Sequence, residues 1–171
     1  MSLLELIQNA ATPQQLRKFI PQIGQPQLGL NEVVTIYLNG PMRITQRATV
    51  LLIYFANNHP KLIDKELGQI ITYLQKPKAS VAVKRNTVRF LQFMPISKKW
   101  QGRVADICFR YLTSHTEPIA VKVFAMTVLA NLAMENQELK NELIPIIEDQ
   151  LPFGSAGFRN RGARIMKQLK G

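Results

Sequence analysis

The chain is 171 residues long and 46% hydrophobic, with 22 Lys+Arg against 11 Asp+Glu and a formal charge of +11. That length suits about one domain with a sizeable core, and that apolar fraction excludes wholesale disorder. No run approaches eighteen consecutive apolar residues, which excludes a transmembrane helix, and a single cysteine, Cys108, excludes an internal disulfide and a multi-cysteine zinc site. The lone thiol reads as a small core residue and fits a reducing cytoplasm. The positive field favours acidic partners: nucleic acid, anionic headgroups or an acidic protein.

From the N-terminus, Met1-Ser-Leu-Leu-Glu-Leu-Ile-Gln lacks a basic leader region and holds Glu5 inside its apolar stretch. It predicts an amphipathic helix over 2–10 rather than a secretory signal. Thr12-Pro13-Gln-Gln15 offers a cap residue, a proline at the first helical position and a capping-box glutamine, predicting a helix over 13–23. Apolar residues at i, i+3, i+4 and i+7 then predict helices over 30–39, 42–58, 61–75, 80–94, 98–113, 118–134, 137–151 and 156–169. Gly40-Pro41, His59-Pro60, Gln75-Lys-Pro77-Lys and Gly154-Ser155 punctuate them. No stretch sustains a period of two, so no strand is predicted.

These helices repeat. Ile44-Thr-Gln-Arg-Ala-Thr-Val, Ala82-Val-Lys-Arg-Asn-Thr-Val, Ala120-Val-Lys-Val-Phe-Ala-Met and Phe158-Arg-Asn-Arg-Gly-Ala-Arg align without a gap at an offset of 38. The column 49/87/125/163 reads Thr, Thr, Ala, Ala, small enough for close helix approach. The column 52/90/128/166 reads Leu, Phe, Val, Met, and 53/91/129 reads Ile, Leu, Leu. Upstream, Ile70-Ile71-Thr-Tyr73-Leu74 aligns with Cys108-Phe109-Arg-Tyr111-Leu112 at the same offset. Each unit is therefore a pair of helices. The first two helices fall outside this register and read as an N-terminal cap.

Val121-Lys122-x-x-Ala125-x-x-x-Leu129-x-x-Leu132 resembles the second helix of a HEAT repeat, and Val83-Lys84-x-x-Thr87-x-x-x-Leu91 is a weaker copy. The resemblance to the HEAT/armadillo-like family covers about residues 30–170. It implies an all-α, right-handed α-solenoid of about four two-helix repeats. A single domain over 1–171 is expected, with the cap at 1–29 and the repeats at 30–171. Such repeats serve scaffolds, transport factors and a few DNA-repair enzymes, so the family implies architecture more than function.

Charge is segregated between the helices of each pair. The second helices carry Arg43, Arg47, Lys84, Arg85, Arg89, Lys122, Arg159, Arg161, Arg164, Lys167 and Lys170, and contain no Asp or Glu. Most acids, among them Asp64, Glu66, Asp106, Glu138, Glu142, Glu148 and Asp149, lie in the first helices. At 100° per residue, 83, 87, 90, 91 and 94 share one side of their helix. Arg85 and Arg89 point away from it, with Val81 and Val88 beside them. Arg47 and Arg161 occupy the Arg85 position of their own repeats, the third repeat having Val123 there, and Arg43 and Arg164 extend the row. The family resemblance places second helices on a concave side, which implies a cationic groove. The candidate partner-binding residues are thus Arg43, Arg47, Lys84, Arg85, Arg89, Lys122, Arg161 and Arg164.

Bland roles stand beside this one. Lys84 and Lys122 occupy a position at which such repeats carry a structural basic residue. Arg159, Lys167 and Lys170 suit the solvated face of a terminal repeat. The arginines also suit a plain solvated surface.

No catalytic chemistry is legible. His59 and His115 fall in turns without a ligand cluster, and no phosphate loop or nucleophile elbow occurs, so no metal and no cofactor is expected. HEAT-like DNA glycosylases resemble this chain in their basic groove, but they carry concave tryptophans and a catalytic aspartate. Here the sole tryptophan, Trp100, begins a first helix, where it suits a core anchor or a patch with Phe93 and Pro95, and the second helices hold no aspartate. The expected function is a non-enzymatic, cytoplasmic binding scaffold. An acidic protein segment stands ahead of nucleic acid as the partner, because the row lacks interleaved aromatics and Val81, Val88 and Val123 interrupt it. Membrane-surface binding is third, and no small-molecule substrate is evident.

Overall fold

A computed structural model describes residues 2–22 and 25–171. Met1 of the N-terminal stretch and the predicted helix end at Ile23 lie outside the described residues. The elements are α1 (Leu3–Asn9), α2 (Pro13–Phe19), α3 (Pro26–Asn39), α4 (Met42–Asn58), α5 (Pro60–Leu74), α6 (Val81–Leu91), α7 (Lys98–Thr113), α8 (Ile119–Ala133), α9 (Gln137–Gln150) and α10 (Ala156–Lys170). Single 3₁₀ turns follow α2 at Ile20–Gln22 and α9 at Leu151–Phe153, and no strand occurs among the described residues. The all-helical expectation holds. No helix is long and apolar enough to cross a membrane among those residues.

Local chemistry explains the boundaries. Ser2 and Glu5 close a capping box on α1, and Thr12 with Gln15 closes the predicted one on α2, where Pro13 sits at the first position. Ser155 accepts the Phe158 amide at 3.2 Å to open α10. Two expectations are corrected. The third helix starts at Pro26, four residues before the predicted 30, because proline suits a first-turn position. The sixth stops at Leu91 rather than 94, because Pro95 pushes Met94 out of the α region and leaves a turn from Phe90 to Phe93.

The chain divides into two compact units, Met1–Trp100 and Gln101–Gly171. In the first, α4 is the hub, packing against α1, α2, α3, α5 and α6. It buries Ile44, Ala48, Leu51, Leu52, Phe55 and Ala56, more than a single apolar stripe, as a helix with neighbours on several sides requires. Tyr37 of α3 is fully buried against α6 and packs edge-on to Phe90 at 6.3 Å. The start of α7 is clamped to α5: the Trp100 indole N–H donates to the Asp64 carbonyl at 3.0 Å, and Lys99 pairs with the Asp64 carboxylate at 3.5 Å. Trp100 is therefore an anchor, and the ring lies over Gly68, where an added Cβ would stand 3.0 Å from it.

In the second unit α8 is the buried helix, apolar almost all round, with α9 and α10 packed on it. Gly162 lets α10 close on the 3₁₀ turn: a Cβ there would meet Leu151 Cδ2 at 2.7 Å. Cys108 is buried in this unit, as its role of small core residue predicts.

Candidate functional site: the basic second helices

The second helices of the pairs are α4, α6, α8 and α10. What each presents is decided by which of its positions packing leaves open. In α6, burial takes Ala82, Val83, Asn86, Thr87, Val88, Phe90 and Leu91. The positions left are Val81 and Arg89, exposed, and Lys84 and Arg85, half-buried, a strip at i, i+3, i+4 and i+8. Val88 is only 1% exposed, so it does not flank the arginines at the surface. A helix held between α4 and α5 buries a wider arc than a one-sided amphipathic helix, and Val88 lies inside that arc.

In α4, Arg43 is exposed and Arg47 half-buried. The Arg47 guanidinium donates to the carbonyls of Ile7, at 3.0 Å, and Gln8. These are among the last carbonyls of α1, which has no basic residue in its own last turn. Arg47 thus satisfies acceptors that a helix terminus leaves open, and its charge lies at the negative end of the helix dipole.

In the second unit, Arg161 of α10 donates to the Thr127 hydroxyl of α8 at 2.8 Å. Arg47 and Arg161 share a register position, and each reaches sideways to an earlier helix of its own unit. Lys84 is half-buried and engaged in a contact of its own. The side chains of Arg43, Arg85, Arg89, Lys122 and Arg164 make no hydrogen bond or ion pair with any described residue. Lys122 is half-buried near the start of α8, and Arg164 is exposed on α10. Lys170 pairs with Glu148, which gives one terminal cation a partner inside the protein.

The candidate row thus divides by contact. Arg47 and Arg161 bond to an earlier helix, and Lys84 is engaged in a contact of its own. The side chains at 43, 85, 89, 122 and 164 have no partner among the described residues, those at 43, 89 and 164 exposed and those at 85 and 122 half-buried. Nothing in residue type distinguishes these groups, because neither a main-chain carbonyl, as for Arg47, nor a threonine hydroxyl, as for Arg161, shows in a charge pattern. No acid stands in the first turn of any of the four helices.

Sequence reasoning missed a cleft of about 580 Å³ in the second unit, between the α7–α8 turn and the end of α9. Its one available signal was Phe153, an aromatic residue set between the helix breakers Pro152 and Gly154.

His59 packs against Tyr54 and Phe55, with ring centroids 6.1 and 5.9 Å away, and no group of three His, Cys, Asp or Glu able to hold a metal ion occurs among the described residues. Burial pushes the Cys108 thiol up to about 12, which suppresses the thiolate that nucleophilic chemistry needs.

No curated protein and no solved structure matches the chain. A family model for the HEAT repeat domain matches residues 4–169. That span includes α1 and α2 as well as the 38-residue pairs, and with it the chain belongs to the HEAT repeat family.

Proposed function

We propose that the chain is a non-enzymatic scaffold that holds an acidic segment of another protein against its basic second helices. HEAT repeats generally serve as protein-interaction scaffolds. The observation that carries the finer reading is the charge segregation. Four helices bear eleven cations and no acid, and five of the candidate cations have no partner among the described residues. Arginine forks suit carboxylates. Exposed Val81 and half-buried Val123 add apolar area between the charges, the mixture that protein interfaces favour.

The test is fluorescence anisotropy with a labelled dodecapeptide of eleven glutamates and a central alanine, beside a 20-base-pair DNA duplex, each across a salt series. The triple variant Arg43→Glu, Arg85→Glu, Arg89→Glu should keep the helical far-UV signal and melting temperature and lose the peptide. A protein that ignores the peptide and binds the duplex, with affinity falling linearly in log salt, would replace this reading with nucleic-acid binding.

A further inference from the structure

The geometry points to a second element of recognition: the cleft of the second unit is an anchor pocket for one large apolar side chain of the acidic segment. This inference rests on the acidic-segment reading and adds to it a sequence requirement.

The cleft holds about 580 Å³, room for a bulky side chain and its flanking main chain. Its apolar wall comes from Ile119, Ile146 and Phe153. Phe153 is 90% exposed and Ile119 is 51% exposed, so neither ring nor branched chain is spent on the unit's own core. Two large apolar groups held open on one cleft are unusual for a surface that meets only water. The Phe153 turn is also held in place, because Gly154 allows close approach of the Phe158 ring, where a Cβ would stand 2.6 Å from Cδ1. The pocket is therefore built before any ligand arrives.

The charged groups that line the cleft are one cation, Lys122, and one carboxylate, Asp149. Lys122 lines the cleft, half-buried and without an ion-pair partner among the described residues, and His115 stands on the same rim. The first turn of α8 holds no acid, and α10 holds none at all. A carboxylate beside the apolar anchor reaches Lys122. Asp149 on the α9 side is an acceptor for a main-chain N–H of the same peptide. A purely apolar ligand would leave Lys122 desolvated and unpaired, which costs binding. An acidic peptide with a central aromatic residue satisfies both walls.

The sequence register repeats one feature of this pocket. Val81 and Ile119 stand 38 residues apart at the first position of α6 and α8, both exposed. The repeat thus offers an exposed apolar residue at the start of a second helix in each unit, and in the second unit that residue lines a cleft.

The experiment uses the full chain and two labelled dodecapeptides, eleven glutamates around a central phenylalanine or a central alanine. The phenylalanine peptide should bind at least about fivefold more tightly, the ratio that one anchor residue gives. Phe153→Ser and Ile119→Ser should each bring it down to the alanine peptide's affinity and leave the latter unchanged, with unaltered melting temperatures because both side chains are exposed. Amide shifts on binding should fall in residues 113–122 and 146–158. Equal affinities for the two peptides, or a phenylalanine preference that survives both substitutions, overturns the pocket and leaves the scaffold reading standing. Failure of both peptides to bind overturns both.

Discussion

The Tyr37 hydroxyl stands 2.7 Å from the Thr87 hydroxyl and donates to the Val83 carbonyl at 2.9 Å, tying α3 to α6 across 46 to 50 residues of chain. This is one of the few polar links inside the first unit's core, and it joins the first helix of one pair to the second helix of the next. Tyr37→Phe should cost about 1 kcal/mol, at the low end for a buried hydrogen bond. The cost stays low because the Thr87 hydroxyl can turn to the carbonyl four residues back. Thr87→Val should cost a similar amount, since Tyr37 keeps Val83. Urea midpoints of the two variants and the double variant check this. The double should cost less than the two singles together, the signature of a shared bond.

Gly68 and Trp100 make a second link that the backbone alone would not reveal. An added Cβ at position 68 would lie 3.0 Å from one ring carbon and 3.3 Å from the next. Gly68→Val should therefore push the indole off α5 and break its bond to the Asp64 carbonyl, costing about 1–3 kcal/mol as overpacking does. The helix-propensity gain of removing a glycine is smaller than that. Trp100 is the sole tryptophan, so its emission should move to longer wavelength in the folded variant. In a Trp100→Ala background the Gly68→Val penalty should vanish.

Much of the fold was legible because the 38-residue register carries steric information. Leu52, Phe90, Val128 and Met166 are all buried, and so are Thr49, Thr87 and Ala125. Ala163, the fourth member of the small column, is exposed, and Gly162 beside it is buried instead. In the last helix the tight contact is with the Leu151 turn, and it selects position 162. The basic second helices were legible as composition. Their internal division was not, because Arg47 bonds to main-chain carbonyls at 7 and 8 and Arg161 to a threonine, partners that no charge pattern marks. The cleft escaped for a related reason: it is assembled from the ends of α7, α8, α9 and α10 and the turns between them, and periodicity says nothing of how helix ends meet.

The capping contacts of Arg47 make it a poor choice for testing ligand binding. Arg47→Glu would place a carboxylate against the open carbonyls that end α1, removing two hydrogen bonds and reversing a favourable dipole contact. A loss of about 1–3 kcal/mol is expected, since α1 is only seven residues long and leans on tertiary contacts. Amide hydrogen exchange should accelerate over residues 3–9 before any other segment. Arg85→Glu should leave those amides unchanged, because the Arg85 side chain bonds to nothing described. Equal protection in both variants would show that the cap contributes nothing.

Cys108 gives the protein an alkaline limit. Desolvation raises its thiol from the ordinary 9.0 to about 12 in the folded state, and burial, followed by the charge of Glu117, pushes the Tyr111 phenol up as well. An acid whose folded pKa is raised holds its proton while the unfolded chain has already lost it. The unfolded state then binds fewer protons, so stability falls with rising pH. For Cys108 the contribution is complete below pH 9 and is lost between pH 9 and about 12, at up to about 1.4 kcal/mol per pH unit. Denaturant midpoints measured from about pH 8 to about pH 10.5 should decline along that slope, and Cys108→Ala, less stable at the lower pH through its small cavity, should decline more gently. A thiol reagent at mildly alkaline pH should label the native protein only at the rate of opening. Rapid labelling, or a decline in Cys108→Ala as steep as in the parent, would mean that the thiol reaches solvent in the native state.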